Sequence, residues 1–120
     1  VVAGHCAPLR IVRGSQGGLQ RSEVLRGKGF MLGLDTQLPF VEHEAEFLPE
    51  DRLVLYTDGL VEVERGDRAM LEEAGLRRIC AELPAEADEA AGAVIAQARA
   101  FNHPAPFVDD VTLVILDRKA

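Results

Sequence analysis

The most informative segment of this chain is Leu53-Val54-Leu55-Tyr56-Thr57-Asp58-Gly59. Residues 53–57 predict a short strand buried on both faces, because a continuous apolar run of this length is typical of a core strand. The run ends abruptly in a carboxylate followed by glycine. Taken alone, Asp-Gly between two β-like runs favours a hairpin turn, with residues 60–64 returning as a strand beside residues 53–57. The alternative is a strand-end metal ligand, with Gly59 allowing a tight backbone turn beside the ion.

A second acidic feature, Asp109-Asp110, directly precedes the last apolar run, Val111–Leu116. Acids before a strand can simply mark a solvated loop end that protects an apolar strand from aggregation. Adjacent residues of an extended chain point to opposite sides, so at most one of the two is expected to face a given site. If Asp58 and Asp109 meet in space, their oxygens are the ligands that hard cations such as Mg²⁺ or Mn²⁺ prefer.

Composition narrows the functional class. The chain has 120 residues, 48% of them apolar, which is enough for one domain or a piece of a larger one. A net charge of -7, no Trp and a single Tyr argue against nucleic-acid binding and against an anionic membrane surface. Cys6 and Cys80 are isolated, which indicates a reduced, cytoplasmic setting. No apolar run approaches the length of a membrane span, so no membrane contact is expected from this segment.

The predicted elements run as strands, then two helices, then one strand. Glycine-punctuated runs up to Gly33 predict a β-meander with a loop at residues 13–18, and residues 1–3 predict a strand that is cut at its start. Residues 40–48 alternate acidic and apolar side chains, which predicts a strand with one solvated face, and a turn follows at residues 48–51. Helical spacing marks residues 76–83 and 87–101. This order predicts an α+β fold with an antiparallel sheet, whose last strand can bring Asp109 near Asp58.

Other polar residues carry weaker signals. His5 lies beside Cys6, but no second His or Cys follows at metal-ligand spacing, so a structural role is favoured. The hydroxyl residues Ser15, Ser22 and Thr57 lack the partners of a catalytic triad.

The order of the motifs carries a family resemblance. The chain contains, in sequence, Ala3-Gly4-His5-x-x-Pro8-Leu9, then Leu32-Gly33-Leu34, then Leu48-Pro49-x-Asp51-Arg52-Leu53-x-Leu55-Tyr56-Thr57-Asp58-Gly59-Leu60-x-Glu62, then Asp109-Asp110-Val111-Thr112-Leu113. This series strongly resembles the C-terminal half of the bacterial SpoIIE-type serine phosphatases of the PPM class. The resemblance implies an αββα sandwich of two antiparallel sheets flanked by helices, with two Mn²⁺ or Mg²⁺ ions at one end.

The resemblance also implies roles for individual residues. Asp58 and Asp109 match metal-ligand aspartates, while Asp110 and Gly59 are weaker candidates. Gly4 and His5 match a hallmark near the site, with no ligand role for His5. The implied chemistry is hydrolysis of phosphoserine or phosphothreonine by a metal-activated water, without a side-chain nucleophile. The implied substrate is a phosphorylated anti-anti-sigma factor in a bacterial signalling pathway, and the full-length protein could dimerise.

Residues 1–120 are accordingly expected to be the C-terminal part of a single PPM-type domain whose N-terminal part, with the first metal-binding Asp, lies outside the chain. The chain alone is then expected to be inactive or nearly so. On this interpretation the chain leaves the sheet at Asp58 and begins a helical turn. The alternatives are a non-catalytic PPM-like regulatory or interaction module, and a plain β-rich binding domain with an Asp-Gly hairpin. One departure from the family pattern is Glu50, which stands where a glycine is common.

Overall fold

The computed structural model describes residues 2–13, 20–27, 29–35 and 37–119. In these residues, three strands are followed by three helices and then by a fourth strand. They are β1 (Leu9–Val12), β2 (Arg21–Val24), β3 (Arg52–Tyr56), α1 (Asp58–Val61), α2 (Glu72–Cys80), α3 (Ala87–Asn102) and β4 (Leu113–Asp117). The predicted α+β class is confirmed. Both cysteines are free, and none of the helices in the described part is long and apolar enough to cross a membrane.

The strands form one antiparallel sheet in the order β2-β1-β3-β4. β1 pairs with β2 on one side and with β3 on the other, so that Leu9 lies opposite both Val24 and Val54. β4 pairs with β3 along its whole length, from Arg52 opposite Asp117 to Tyr56 opposite Leu113. The prediction that the last strand returns beside an earlier one is therefore confirmed, and its neighbour is the strand that leads to Asp58.

One face of the sheet packs against the helices. The alternating residues Leu9, Ile11, Val54 and Tyr56 point to this side and are buried, as period-two side-chain alternation requires. The helices contribute apolar side chains at helical spacing. They are Leu76, Ile79 and Cys80 of α2 and Ala90, Val94 and Ala98 of α3. The expected helices are thus confirmed, and α2 ends before Pro84, as a proline requires.

The other face of the sheet is only partly covered by described residues. Leu53 and Leu55 are half-buried, and Val114 and Leu116 are 44% and 49% exposed. The prediction that β3 is buried on both faces is therefore wrong for this structure. The reason is that helices cover one side of the sheet and no second layer of described residues lies on the other.

A buried ion pair joins β3 to the end of β4. Arg52 is completely buried; its Nε donates to Asp117 Oδ1 at 2.6 Å and its Nη2 donates to Oδ2 at 2.8 Å. The same guanidinium donates to the carbonyls of Pro84 and Ala85 in the α2–α3 connection. These hydrogen bonds from Arg52 hold the pKa of Asp117 below its usual range. The pair therefore anchors the helical layer to the sheet.

Two predicted strands are wrong. Residues 40–48 form no strand and are largely exposed. Their alternating pattern supplies a suitable side-chain face, but among the described residues no strand pairs with their backbone. The turn that follows is confirmed, since the Asp51 N–H donates to the Leu48 carbonyl at 3.0 Å. Val2 and Ala3 also form no strand; they lead into a bend at Gly4, and Val1 lies outside the described residues.

The predicted β-meander is confirmed in part. β1 and β2 form its first antiparallel pair, whereas the described residues between β2 and Gly33 form no further strand. The loop expected at residues 13–18 falls outside the described part of the chain after Arg13.

Candidate metal centre

Asp58 is the first residue of α1 and lies directly after β3. Thr57 is still extended, with φ -89° and ψ 160°, and the chain then turns, so that the Glu62 N–H donates to the Asp58 carbonyl at 2.9 Å. This turn buries Gly59 and Leu60 while leaving the Asp58 side chain exposed. The hairpin expected from the local Asp-Gly signal is therefore wrong, and the helical turn is confirmed. Burial of Leu60 in the core explains why the chain leaves the sheet here.

The segment that carries Asp109 and Asp110 lies against the start of α1. The Thr57 N–H donates to the Thr112 carbonyl at 3.1 Å. In the other direction, the Thr112 N–H donates to Thr57 Oγ1 at 2.9 Å, and that hydroxyl lies 3.2 Å from the Asp110 carbonyl, to which it donates. The β3–β4 pairing thus continues past its last ladder residues and brings the two acidic segments together.

Gly59 is required because these two segments approach closely. A Cβ atom placed on Gly59 would lie 2.4 Å from the Asp110 carbonyl oxygen and 3.4 Å from the Asp109 carbonyl carbon. Gly59 does not adopt a positive φ, so its role differs from that of the tight-turn glycine expected from the sequence. The absent side chain allows the backbone before β4 to rest on α1.

The carboxylates of Asp58 and Asp109 have similar local environments. Asp58 Oδ1 accepts a hydrogen bond from the Gly59 N–H at 2.9 Å, and Asp109 Oδ1 accepts one from the Asp110 N–H at 2.7 Å. Asp58, Asp109 and Asp110 are all exposed. Across residues 2–13, 20–27, 29–35 and 37–119, no Arg, Lys or His forms an ion pair with any of them. By contrast, the two more buried aspartates, Asp51 and Asp117, are paired with arginines.

The three aspartates have the right chemistry to bind a divalent metal ion, but they are too few to complete its coordination. Carboxylate oxygens without a cationic partner are suitable ligands for Mg²⁺ or Mn²⁺. Among the residues that the structure describes, however, no group of three or more His, Cys, Asp or Glu side chains is close enough to hold an ion. The described residues alone therefore do not form a complete metal site.

Gly4 and His5 form a bend that leads into Cys6. Gly4 has a φ of 65°, and its N–H donates to the Gly29 carbonyl at 3.3 Å. Cys6, which follows this bend, packs against the core cluster that contains Leu60 of α1. Burial, and then the negative charges of Asp58 and Glu62, raise the pKa of the Cys6 thiol. His5 is exposed, with its Nδ1 3.2 Å from the Cys6 carbonyl. In the described part of the chain, His5 makes no hydrogen bond to the three aspartates.

Sequence reasoning missed the role of Thr57. Its hydroxyl joins the two acidic segments. In the sequence, Thr57 lacks the partners of a catalytic triad, so it was not selected as a site residue. The position of Thr57 directly before a helix could have identified it, because the side-chain oxygen of a hydroxyl residue there can bond to backbone groups.

Comparison with known proteins agrees with this architecture. The family model described as Stage II sporulation protein E (SpoIIE) matches residues 1–119. No curated protein matches the sequence. A similar solved structure is that of the PP2C phosphatase domain and a fragment of the regulatory domain of the cell fate determinant SpoIIE from Bacillus subtilis. The TM-score is 0.70 at 17% sequence identity, with 92% of this chain and 31% of that chain covered.

The chain therefore spans less than a third of the length of that solved chain. At this identity the match shows the fold alone, which is that of a part of a PP2C-like domain. The family match over nearly the whole sequence, together with the ordered motifs and the shared fold, establishes that this chain belongs to the SpoIIE family.

Proposed function

We propose that this chain is part of a metal-dependent protein serine/threonine phosphatase domain and that Asp58 and Asp109 are two of its metal ligands. The observation that carries the proposal is the hydrogen-bonded contact between the two acidic segments, whose carboxylates have no cationic partner among the described residues. Membership of a phosphatase family adds to it. Asp110 and Gly59 are weaker candidates, as an additional oxygen ligand and as the residue that permits the close approach.

The proposed roles of the residues follow from their chemistry. When bound, two Mn²⁺ or Mg²⁺ ions would make a coordinated water a nucleophile at neutral pH and offset charge on the phosphoryl oxygens. Asp58 and Asp109 would hold the ions and take no covalent part. The amides of Gly59 and Asp110 each occupy one carboxylate oxygen, which restrains the side chain and leaves the second oxygen for a metal.

The proposed substrate is a phosphoserine or phosphothreonine on the surface of a regulatory protein, and we favour a phosphorylated anti-anti-sigma factor. Asp58, Asp109 and Asp110 are all exposed, so a phosphate group carried on another folded protein can reach them. A buried pocket would instead favour a small-molecule substrate.

The remaining ligands are proposed to come from an N-terminal part of the same domain that lies outside residues 1–120. This fits the finding that, in the described residues, no group of three or more His, Cys, Asp or Glu side chains is close enough to hold an ion. It also fits the 31% coverage of the solved chain. The chain expressed alone is then expected to bind metal weakly and to turn over little substrate.

The test is a phosphatase assay of the intact protein with Mn²⁺ and a phosphoserine protein. Asp58→Asn and Asp109→Asn should each lower the rate by at least about a hundredfold, since an ion contributes several kcal/mol to such a transition state. Asp88→Asn, which neutralises an exposed acid in the first turn of α3, is the control and should change the rate less than about twofold. Full activity in both ligand variants would refute the assignment. An intact protein that binds Mn²⁺ without hydrolysis would favour the non-catalytic alternative.

A further inference from the structure

The hydroxyl of Thr57 does not make the helix-capping hydrogen bond that its position predicts. Thr57 is the N-cap residue of α1, and a threonine there commonly bonds to a backbone N–H of the first helical turn. Its side chain makes no such bond. The Gly59 N–H donates instead to Asp58 Oδ1, and the Leu60 N–H donates to the Thr57 carbonyl. Helix capping therefore does not account for this hydroxyl.

The hydroxyl bridges two backbone groups that lie far away in sequence. It accepts from the Thr112 N–H at 2.9 Å and donates to the Asp110 carbonyl at 3.2 Å. A hydroxyl can donate and accept at the same atom, which neither a methyl group nor an ammonium group can do. The two bonds flank Val111, so one oxygen atom holds the backbone where it enters β4.

Both proposed ligands are adjacent to this bridge. Asp58 follows Thr57 directly, and Asp109 directly precedes the residue whose carbonyl accepts from the hydroxyl. We infer that Thr57 is a positioning residue that fixes the separation of Asp58 and Asp109. The inference rests on the proposed function. A hard cation accepts oxygen ligands only over a narrow range of distances, so a looser separation should lower the affinity for metal.

Thr57→Val is a clean test because it changes only the hydroxyl. Valine has nearly the same shape, and the backbone bond from the Thr57 N–H to the Thr112 carbonyl remains in place. Thr57→Ser restores the hydroxyl and should act as a rescue. Ser22→Ala is the matched control: it removes a hydroxyl that accepts from Arg77 Nε at 2.9 Å and joins β2 to α2, away from the site.

The experiment measures Mn²⁺ binding to the intact protein by titration calorimetry and, without metal, amide hydrogen exchange at Thr112. Thr57→Val should raise the Mn²⁺ dissociation constant about tenfold, as expected for the loss of two neutral hydrogen bonds that hold the ligand segments. It should also speed exchange of the Thr112 amide by about fivefold. Thr57→Ser and Ser22→Ala should each stay within about twofold of the wild type in both measurements.

The outcomes separate the two proposals. If Asp58→Asn abolishes Mn²⁺ binding while Thr57→Val binds like the wild type, the positioning role is overturned and the proposed metal site stands. If Thr57→Val and Ser22→Ala weaken binding equally, Thr57 contributes only general stability and the inference is also overturned. If the wild type binds no Mn²⁺, the proposed metal site fails, and the positioning role falls with it.

Discussion

Replacing Gly59 with alanine tests whether the acidic segments must approach as closely as the structure indicates. The new Cβ would lie 2.4 Å from the Asp110 carbonyl oxygen, and Cβ contacts shorter than 3.0 Å are essentially never seen. The Asp109-Asp110 segment would therefore have to move by at least 0.6 Å, the difference between these two distances. That segment is held by the two hydrogen bonds of the Thr57 hydroxyl, so the movement would strain or break them.

Two effects of opposite sign determine how Gly59→Ala changes the free energy of unfolding. Alanine is favoured over glycine in a helix by about 0.5–1 kcal/mol, since glycine loses more backbone freedom on folding. Inserting a methyl group into a packed contact costs about 1–3 kcal/mol. The contact term is larger, so Gly59→Ala should lower the free energy of unfolding by about 1 kcal/mol.

Gly92→Ala supplies the matched control. Gly92 lies within α3 and is exposed, and a Cβ there would meet nothing within 4 Å. Only the preference of a helix for alanine over glycine acts at this position, so Gly92→Ala should stabilise the protein by about 0.5–1 kcal/mol. Urea unfolding of both variants of the intact protein measures the difference, which should be about 1–3 kcal/mol. If Gly59→Ala is as stabilising as Gly92→Ala, the close approach of Asp110 to α1 does not exist.

Two further predictions concern the turn before β3 and the buried ion pair. Glu50 has a φ of 72°, a conformation that glycine adopts without strain, so Glu50→Gly should stabilise the protein by about 0.5–1 kcal/mol in urea unfolding. Glu44→Gly, at an exposed loop position without a positive φ, should give no gain, and an equal gain there would contradict the explanation. Asp117→Asn should destabilise the protein by about 3 kcal/mol at pH 7, because it leaves the fully buried Arg52 without its carboxylate. The pKa of Asp117 is lowered in the folded state. The difference in unfolding free energy between the wild type and Asp117→Asn should therefore be complete above about pH 4 and shrink as the pH falls further. A difference that is unchanged at pH 2 would contradict this.

Local signals were sufficient for α2, α3 and β3. The 3.6-residue spacing of apolar side chains and the stop at Pro84 predict α2 and α3 because both signals act within one element. The apolar run at residues 53–57 likewise predicts β3. Where the outcome depends on a partner in space, the sequence was less informative. Residues 40–48 have the pattern of a strand, yet pattern alone does not supply a sheet edge for their backbone groups.

The boundary at Asp58 shows how tertiary contacts override a local rule. Asp-Gly favours a hairpin, and only the order of the family motifs favoured the helical turn that the structure contains. Burial of Leu60 and the approach of Asp110 to Gly59 decide between the two, and both involve residues that the local sequence does not identify. The Thr57 hydroxyl and the Arg52–Asp117 pair were missed for the same reason, since their partners lie more than 50 residues away.

Anomalous X-ray scattering from crystals of the intact protein grown with Mn²⁺ would show directly whether Asp58 and Asp109 bind the metal. Manganese peaks should lie beside the junction of β3 and α1, with carboxylate oxygens of Asp58 and Asp109 within about 2.0–2.6 Å of an ion, the range for hard cations and oxygen ligands. These peaks should disappear from crystals of the Asp58→Asn variant. Manganese bound elsewhere, or well-ordered Asp58 and Asp109 side chains with no ion beside them at saturating Mn²⁺, would refute their assignment as metal ligands.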